Sequence, residues 1–175
     1  MKVILISGKA QSAKDTSAFI MKEVLEKKKK KVLIIHYADN LKIFAKNHLG
    51  WNGDKTTEDG RGLLQWFGTD IVRNNYEDTW VDMVIALLKG IKTLYDYVVI
   101  PDVRFPNEID KMCDVFDCVT VRVIRPGFDN GLTEEQKNHP SEKVLDNYPM
   151  EFELINDGGL GKLLETVKTF LKNID

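Results

Sequence analysis

The sequence predicts an α/β fold in which a parallel, five-stranded sheet is flanked by helices. Apolar runs alternate with longer helical patterns, which is the rhythm of strands joined by crossover helices. The runs lie at about residues 2–7, 32–36, 97–101, 118–124 and 152–155. A length of 175 residues, 43% of them hydrophobic, is enough for one substantial core. We therefore expect a single domain over residues 1–175.

Charge and cysteine content limit the classes of function. The formal net charge of -2 gives no general attraction for nucleic acid, so we expect no nucleic-acid partner. Cys113 and Cys118 lack C-x-x-C spacing, and the N-terminal apolar run is too short for a membrane span or a signal segment. We expect a cytoplasmic protein without a membrane partner. A homodimer stays open, because an apolar helix face serves a core or an interface equally well.

The first strand leads into a loop and helix that are typical of phosphate binding. Ser7-Gly8-Lys9-Ala10-Gln11-Ser12-Ala13-Lys14-Asp15-Thr16 contains an opening glycine and a lysine at the expected start of the helix. In such a loop, backbone N–H groups and the positive helix end face one point, and the lysine reaches the outer phosphates. We expect a nucleoside triphosphate to contact Gly8, Ser12, Ala13, Lys14, Asp15 and Thr16. The alternative is an ordinary turn with a chance lysine.

This loop departs from the common pattern at two positions. Ala13 replaces the second glycine, which is tolerable if its φ is negative, and Asp15 replaces the usual hydroxyl residue. An aspartate suits Mg²⁺ held through water, while the Thr16 hydroxyl lies one step further to meet a phosphate.

The next two elements are a helix and the second strand. The helix is expected over about residues 14–30, and the lysines at 27–31 suit its negative end as a solvated cap. A nucleic-acid patch is the sharper alternative for this run. The second strand leads into Asp39 and Lys42, at the edge where such sheets bind ligands. Both are candidates for substrate contact, although Asp39 is equally an N-cap candidate. His36, at the end of the strand, is expected to be an interior or boundary histidine.

A block of arginines and aromatics follows at residues 61–73. Arg61, Gln65 and Arg73 recur at near-helical spacing beside aromatic side chains, and Trp80 follows soon after. Guanidinium groups bind a phosphate monoester, an amide reads base edges, and aromatic faces stack on bases. The alternative is an amphipathic helix with solvated arginines, although Gly68 and Thr69 argue against a plain helix.

The third strand delivers a carboxylate to the edge of the sheet that carries the phosphate loop. Asp102 can orient Mg²⁺ or its waters there, and Arg104 can bridge the transferring phosphates. In the alternative, these residues have only structural roles: Asp102 forms a salt bridge with Arg104, and Asn107 caps a helix.

A polar stretch after the fourth strand is expected to form a lid. Arg125 stands at its start and can close over phosphates, which would exclude water from the transfer. The alternative is a surface excursion with Arg125 exposed. We expect His139 to order this loop rather than to act as a base.

The motifs together resemble phage-type deoxynucleoside monophosphate kinases. The resemblance covers most of the chain and rests on Lys14-Asp15-Thr16, Ala38-Asp39-x-Leu41-Lys42, the block at 61–73 with Trp80, Asp102-Val103-Arg104-Phe105-x-Asn107-Glu108 and His139-x-Ser141-Glu142. It implies a three-layer P-loop kinase fold with an acceptor-binding helical insert at about 38–93 and a small lid at about 126–147. It also implies ATP with Mg²⁺ as the donor and a deoxynucleoside monophosphate as the acceptor.

The resemblance implies a role for each candidate residue. Lys14 would hold the β and γ phosphates, and the catalytic set would be Lys14, Asp15, Arg104 and Arg125. Mg²⁺ would be arranged by Asp15, Thr16 and Asp102. The acceptor would be bound by Asp39, Lys42, Arg61, Gln65, Arg73 and Trp80. Asn156 or Asp157, after the last strand, would lie beside the adenine.

Two other functions fit parts of the pattern. Animal-type phosphomevalonate kinase looks similar around its G-x-x-x-S-G-K-D loop, but Gln65 and the aromatics favour a nucleotide. A switch or ATPase module without a small acceptor would use the 61–73 block as an interaction face. Base and ribose preference depend on pocket shape, which motif spacing does not determine.

Overall fold

The strands form a single parallel sheet. A computed structural model describes residues 1–54 and 57–174. Its strands are β1 (Lys2–Ser7), β2 (Val32–Ile34), β3 (Tyr97–Ile100), β4 (Asp117–Ile124) and β5 (Phe152–Ile155). They are ordered β2-β3-β1-β4-β5, and each neighbouring pair runs parallel. The predicted α/β class with a five-stranded parallel sheet is confirmed.

Helices connect these strands and cover the sheet. They are α1 (Lys14–Lys27), α2 (Asp39–His48), α3 (Glu58–Gln65), a π-helix (Trp66–Arg73), α4 (Thr79–Ile91), α5 (Pro106–Val115), α6 (Glu134–Asn138), α7 (Pro140–Lys143) and α8 (Leu160–Ile174). The first helix ends before residue 30 because Lys29 turns to a φ of 63° and the N–H of Lys30 bonds back to the carbonyl of Leu25.

The sheet buries one apolar cluster on each face. Side chains of a strand alternate between faces, so Ile4 and Ile6 pack toward α1 and α8 while Val3 and Leu5 pack toward α4 and α5. A strand that is buried on both sides reads as a continuous apolar run, which explains residues 3–6 of the sequence.

The carboxyl ends of the strands carry the loops that matter for function. In a parallel sheet these ends lie on one edge, and the connections to α1, α2 and α5 all begin there. The predicted insert at 38–93 holds α2, α3, the π-helix and α4; its residues 55 and 56 lie outside the described residues, as does residue 175 of the predicted domain. Within the described ranges, no helix has the length and apolarity needed to cross a membrane.

Candidate active site

The loop after β1 has the backbone shape of an anion cradle. Gly8 has a φ of 149°, and a Cβ there would lie 2.4 Å from the carbonyl oxygen of Val123, so the position requires glycine. Ala13 has a φ of 79°, so the negative φ that we took as the condition for an alanine here is not met. An alanine in the left-handed conformation costs about 1–2 kcal/mol. A glycine at position 13 would not carry this cost.

Lys14 folds back over this loop. Its Nζ donates hydrogen bonds to the carbonyl oxygens of Gly8 and Lys9, both at 2.7 Å. Burial, followed by the charge of Arg104, lowers the pKa of Lys14 to about 7. Phosphate oxygens would replace two neutral carbonyls with charged acceptors, so this ammonium is poised to bind an anion.

Two further groups complete the interior of the loop. The Oγ of Ser12 is buried and has no hydrogen-bond partner among the described residues, which marks it as a free ligand atom inside the loop. Asn156 donates from Nδ2 to the carbonyl of Ser12 at 3.2 Å. Asn156, which follows β5, thus holds the loop in position. We had expected Asn156 to contact adenine and had not expected this contact with the loop.

The two acidic residues expected near Mg²⁺ are engaged with different partners. Asp102 accepts the backbone N–H groups of Tyr37 and Ala38 at 2.9 and 3.0 Å, which ties β3 to the start of α2. The alternative pairing of Asp102 with Arg104 is therefore not seen. Asp15 accepts a hydrogen bond from His36 Nε2 at 2.9 Å, whereas Thr16 is exposed and borders neither cavity.

His36 lines the larger cavity, whereas we had expected it to be an interior or boundary histidine. Its imidazole lies between Asp15 and Asp39, with Nδ1 3.5 Å from the Asp39 carboxylate. The hydrogen bond to Asp15 is the main cause that raises the pKa of His36. Its place at the carboxyl end of β2, on the ligand edge of the sheet, was the available signal.

A cavity of about 360 Å³ opens beside the loop and gathers most of the predicted acceptor residues. Its lining includes five of the six, namely Lys42, Arg61, Gln65, Arg73 and Trp80. Asp39 is the exception: it accepts the backbone N–H of His36 at 2.9 Å and pairs with Lys42 at the rim. The N-cap of α2 is Ala38, so Asp39 does not cap that helix, and its contact with the acceptor stays a prediction.

The 61–73 block is neither a plain α-helix nor a solvated face. The helix changes to π geometry at Trp66, and π segments often occur at functional sites. Gly68 lies in the middle, packed so closely that a Cβ would come within 2.6 Å of Leu41. Its carbonyl accepts the indole N–H of Trp80 at 3.0 Å, which fixes that ring as a cavity wall.

The two arginines of this block differ in their surroundings. Arg61 is half-buried and makes no side-chain hydrogen bond or ion pair within the described part of the chain. Arg73 is buried, ion-paired with Glu108, hydrogen-bonded to Asn107 at 2.9 Å and stacked 3.8 Å from the Phe105 ring centroid. Arg61 therefore has no partner among the described residues that would compete with a ligand, whereas Arg73 is held in place by its partners.

Glu108 is a residue whose role sequence reasoning missed. Its carboxylate accepts the backbone N–H groups of Arg104 and Phe105 at 2.7 and 3.1 Å, so it caps α5 in place of Asn107, which we had considered. Burial raises the pKa of Glu108 to about 7, and the charge of Arg73 opposes that shift. One carboxylate thus links the helix cap to the arginine of the cavity.

A second cavity, of about 320 Å³, lies on the other side of the loop. Gly8, Ser12 and Arg125 border it, and the Arg125 guanidinium stacks 3.5 Å from the Phe128 ring centroid. Arg125 also donates to the carbonyl of Gln11 at 3.3 Å, so it reaches the phosphate loop although it is exposed.

The stretch expected to be a lid is built from α6 and α7. His139 accepts the backbone N–H of Ser141, and its Nδ1 lies 2.8 Å from the Ser141 hydroxyl, which orders the start of α7. Arg122 donates to the carbonyls of Leu145 and Tyr148 at 2.6 and 2.7 Å and so anchors the end of this stretch to β4.

The family comparison matches residues 43–167 to the model described as deoxynucleotide monophosphate kinase. The deoxynucleotide monophosphate kinase of Enterobacteria phage T4 is 30% identical over 114 residues, which are 64% of this chain. The aligned part spans only 45% of that phage protein.

Similar structures include several small-molecule kinases. APS kinase from Mycobacterium tuberculosis, in complex with AMPPNP and APS, has a TM-score of 0.54 at 14% identity, over 99% of this chain and 96% of that one. Shikimate kinase from Aquifex aeolicus has a TM-score of 0.52 at 14% identity over 99% and 96%. A sugar kinase from Janibacter has a TM-score of 0.55 at 10% identity over 98% and 94%. These likenesses establish the P-loop kinase fold that the sequence predicts.

Proposed function

The chain belongs to the deoxynucleotide monophosphate kinase family, and from that premise we propose that it transfers the γ-phosphoryl group of ATP to a deoxynucleoside monophosphate. The products would be ADP and the deoxynucleoside diphosphate. The observation that carries the proposal is the pair of cavities on either side of the phosphate loop, one bordered by Ser12 and Arg125 and the other by Lys14 and Arg61. Such a pair suits one substrate on each side of a transferring phosphoryl group.

The donor phosphates are assigned to the loop. Lys14 would exchange its two carbonyl acceptors for phosphate oxygens, and the free Ser12 hydroxyl would donate to the same group. Arg125 would add a cation from the lid side. These contacts position the donor and neutralise its charge, which is most of what phosphoryl transfer requires of a protein.

The acceptor is assigned to the larger cavity. Arg61 has no competing partner among the described residues, so it is our first candidate for the acceptor phosphate, with Gln65 toward the base and Trp80 as a wall. Arg73 would contribute fixed positive charge, since Glu108 and Asn107 already hold its guanidinium. Arg104 borders both cavities and would contact the phosphoryl group in transit.

The side chains near the loop fit a magnesium ion that is bound mainly through substrate. Among the described residues, no group of three or more His, Cys, Asp or Glu side chains could hold a metal on its own. Mg²⁺ usually takes one or two carboxylates from a protein and completes its shell with phosphates and waters. Asp15 and Asp102 can supply those carboxylates at the edge of the larger cavity. The ion would neutralise charge on the phosphates; Thr16 is the weaker ligand candidate because it borders neither cavity.

A coupled assay of ADP formation tests the proposal. ATP and Mg²⁺ are presented with dGMP, dTMP, dCMP or dAMP, with their ribose counterparts, and with phosphomevalonate. Turnover that depends on one or a few deoxynucleotides supports the proposal and names the substrate. Turnover with phosphomevalonate alone would identify that compound, rather than a nucleotide, as the acceptor. Hydrolysis of ATP without any acceptor would favour a switch or ATPase module.

One pair of variants in α1 checks the assignment of the loop. Lys14→Ala should abolish transfer, because its ammonium is assigned to the β and γ phosphates. Lys22→Ala is the matched control, since among the described residues Lys22 pairs only with Glu26, at 3.6 Å on the same helix, and it lies outside both cavities. Retained turnover in Lys14→Ala would remove this lysine from the mechanism.

A further inference from the structure

An ion pair separates the two cavities. Glu142 and Arg104 border both of them, and their side chains meet at 2.8 Å. The Glu142 side chain is only 4% exposed, against 27% for Arg104. The carboxylate therefore lies in the position through which a phosphoryl group would pass from one cavity to the other.

The surroundings of Glu142 are those that a phosphate needs. Its second carboxylate oxygen faces the backbone N–H of Ala10 in the phosphate loop at 3.4 Å. Its charge also raises the pKa of Lys14, whereas that of Arg104 lowers it, so all three groups share one electrostatic environment. A loop N–H, a guanidinium and a nearby ammonium form an anion site, and a carboxylate of the chain itself occupies it.

Glu142 lies in the stretch that we expect to form a lid. It belongs to α7, a helix of four residues between His139 and the stretch that Arg122 anchors to β4. Polar contacts hold this helix over the loop: Lys9 Nζ donates to the carbonyl of Glu142 at 2.5 Å, and Arg104 donates to the carbonyl of Ser141 at 3.3 Å as well as to the Glu142 carboxylate. Movement of α7 would open the shared side of the cavities and carry the carboxylate away from Arg104.

We propose that Glu142 is an internal substitute for a substrate phosphate: it neutralises Arg104 and the loop in the ligand-free chain and is displaced when a phosphate group enters. This inference rests on the proposed function. It makes Glu142 a positioning residue that keeps the anion site formed without substrate and couples substrate binding to the movement of α7. A purely structural ion pair would instead stay closed when phosphate binds.

Binding of tripolyphosphate to the purified chain tests the inference without catalysis. Calorimetric titration should give a dissociation constant about tenfold lower for Glu142→Gln than for the unaltered chain, because glutamine keeps the shape but leaves Arg104 without its anion. Glu165→Gln removes one surface charge on α8, where Glu165 pairs with Lys168, and should leave the affinity unchanged.

Each outcome of the titration decides between the two proposals. Equal or weaker binding by Glu142→Gln, beside clear binding by the unaltered chain, overturns the role of Glu142 and leaves the kinase proposal standing. Binding by neither protein rejects the phosphate site and both proposals with it. Equal gains in Glu142→Gln and Glu165→Gln would reduce the effect to net charge and overturn the specific role.

A crystal structure of the unaltered chain with AMPPNP provides a second test that needs no variant. The Arg104–Glu142 pair should be broken, with the guanidinium on a phosphate oxygen. A bound triphosphate beside an intact pair would overturn the inference even if the variant failed to fold.

Discussion

Replacement of Arg73 by methionine should lower the free energy of unfolding as well as remove a residue from the acceptor cavity. Arg73 and Glu108 are 7% and 4% exposed, and removal of one partner of a buried pair typically costs about 3–5 kcal/mol. Glu108 would keep its two backbone donors at 2.7 and 3.1 Å, which places the loss near the lower end. The contact with the Phe105 ring adds roughly 1 kcal/mol. We expect about 3–4 kcal/mol in total.

Urea unfolding followed by circular dichroism measures this loss. At the size of this chain each kcal/mol corresponds to about 2–4 °C in Tm, so a thermal scan should show a fall of roughly 6–16 °C. Arg61→Met is the matched control and should change the free energy of unfolding by less than about 0.5 kcal/mol, since Arg61 has no partner among the described residues. Both variants should raise the KM for the acceptor if both line its site.

The pH dependence of the same variant refines the test. Without Arg73, the pKa of the buried Glu108 carboxyl rises further, because the charge that opposed its burial is gone. At pH 5 the carboxyl is neutral with or without Arg73 and needs no counter-charge, whereas at pH 8 only the unaltered chain can keep it ionised, so the loss should be smaller at pH 5 than at pH 8. An Arg73→Met protein within 1 kcal/mol of the unaltered chain at pH 8 would refute the reasoning.

Three further predictions concern the loop and the edge of the sheet. Burial lowers the pKa of Lys14 to about 7 in the fold, so the unfolded chain binds more protons than the folded chain between about pH 7 and 10.5. The free energy of unfolding of the ligand-free protein should therefore rise with pH over this window. Lys14→Met should flatten that rise in urea titrations at different pH values. Ala13→Gly removes a left-handed alanine at a cost in unfolded-state entropy and should gain about 0.5 kcal/mol, whereas Ala18→Gly inside α1 should lose at least ~1 kcal/mol; a loss in Ala13→Gly would contradict the φ of 79°. Asp102→Asn turns an amide N–H toward one of the backbone N–H groups of residues 37–38 and should lose about 1–3 kcal/mol in the same unfolding assay; a change below 0.5 kcal/mol would show that this bridge is dispensable.

The local sequence pattern was sufficient to predict the strands and the loop that position the site. Continuous apolar runs identify strands buried on both faces, and a glycine-opened loop with a lysine before a helix identifies the anion cradle, because both depend on residues that are close in the chain. The carboxyl-edge rule then puts Asp102 on the same edge as the loop, where the structure has it.

The partners of the charged residues were decided only by the tertiary structure. Arg73 meets Glu108 across 35 positions of sequence, and Arg104 meets Glu142 across 38, so spacing carries no signal for either pair. The backbone angle of Ala13 and the π turn at Trp66 likewise depend on what packs against them, as the contact of Gly68 with Leu41 illustrates. The sequence by itself determined which charges reach the sheet edge; the fold decided which are free for substrate, because burial forces a charge to find a partner wherever the packing brings one.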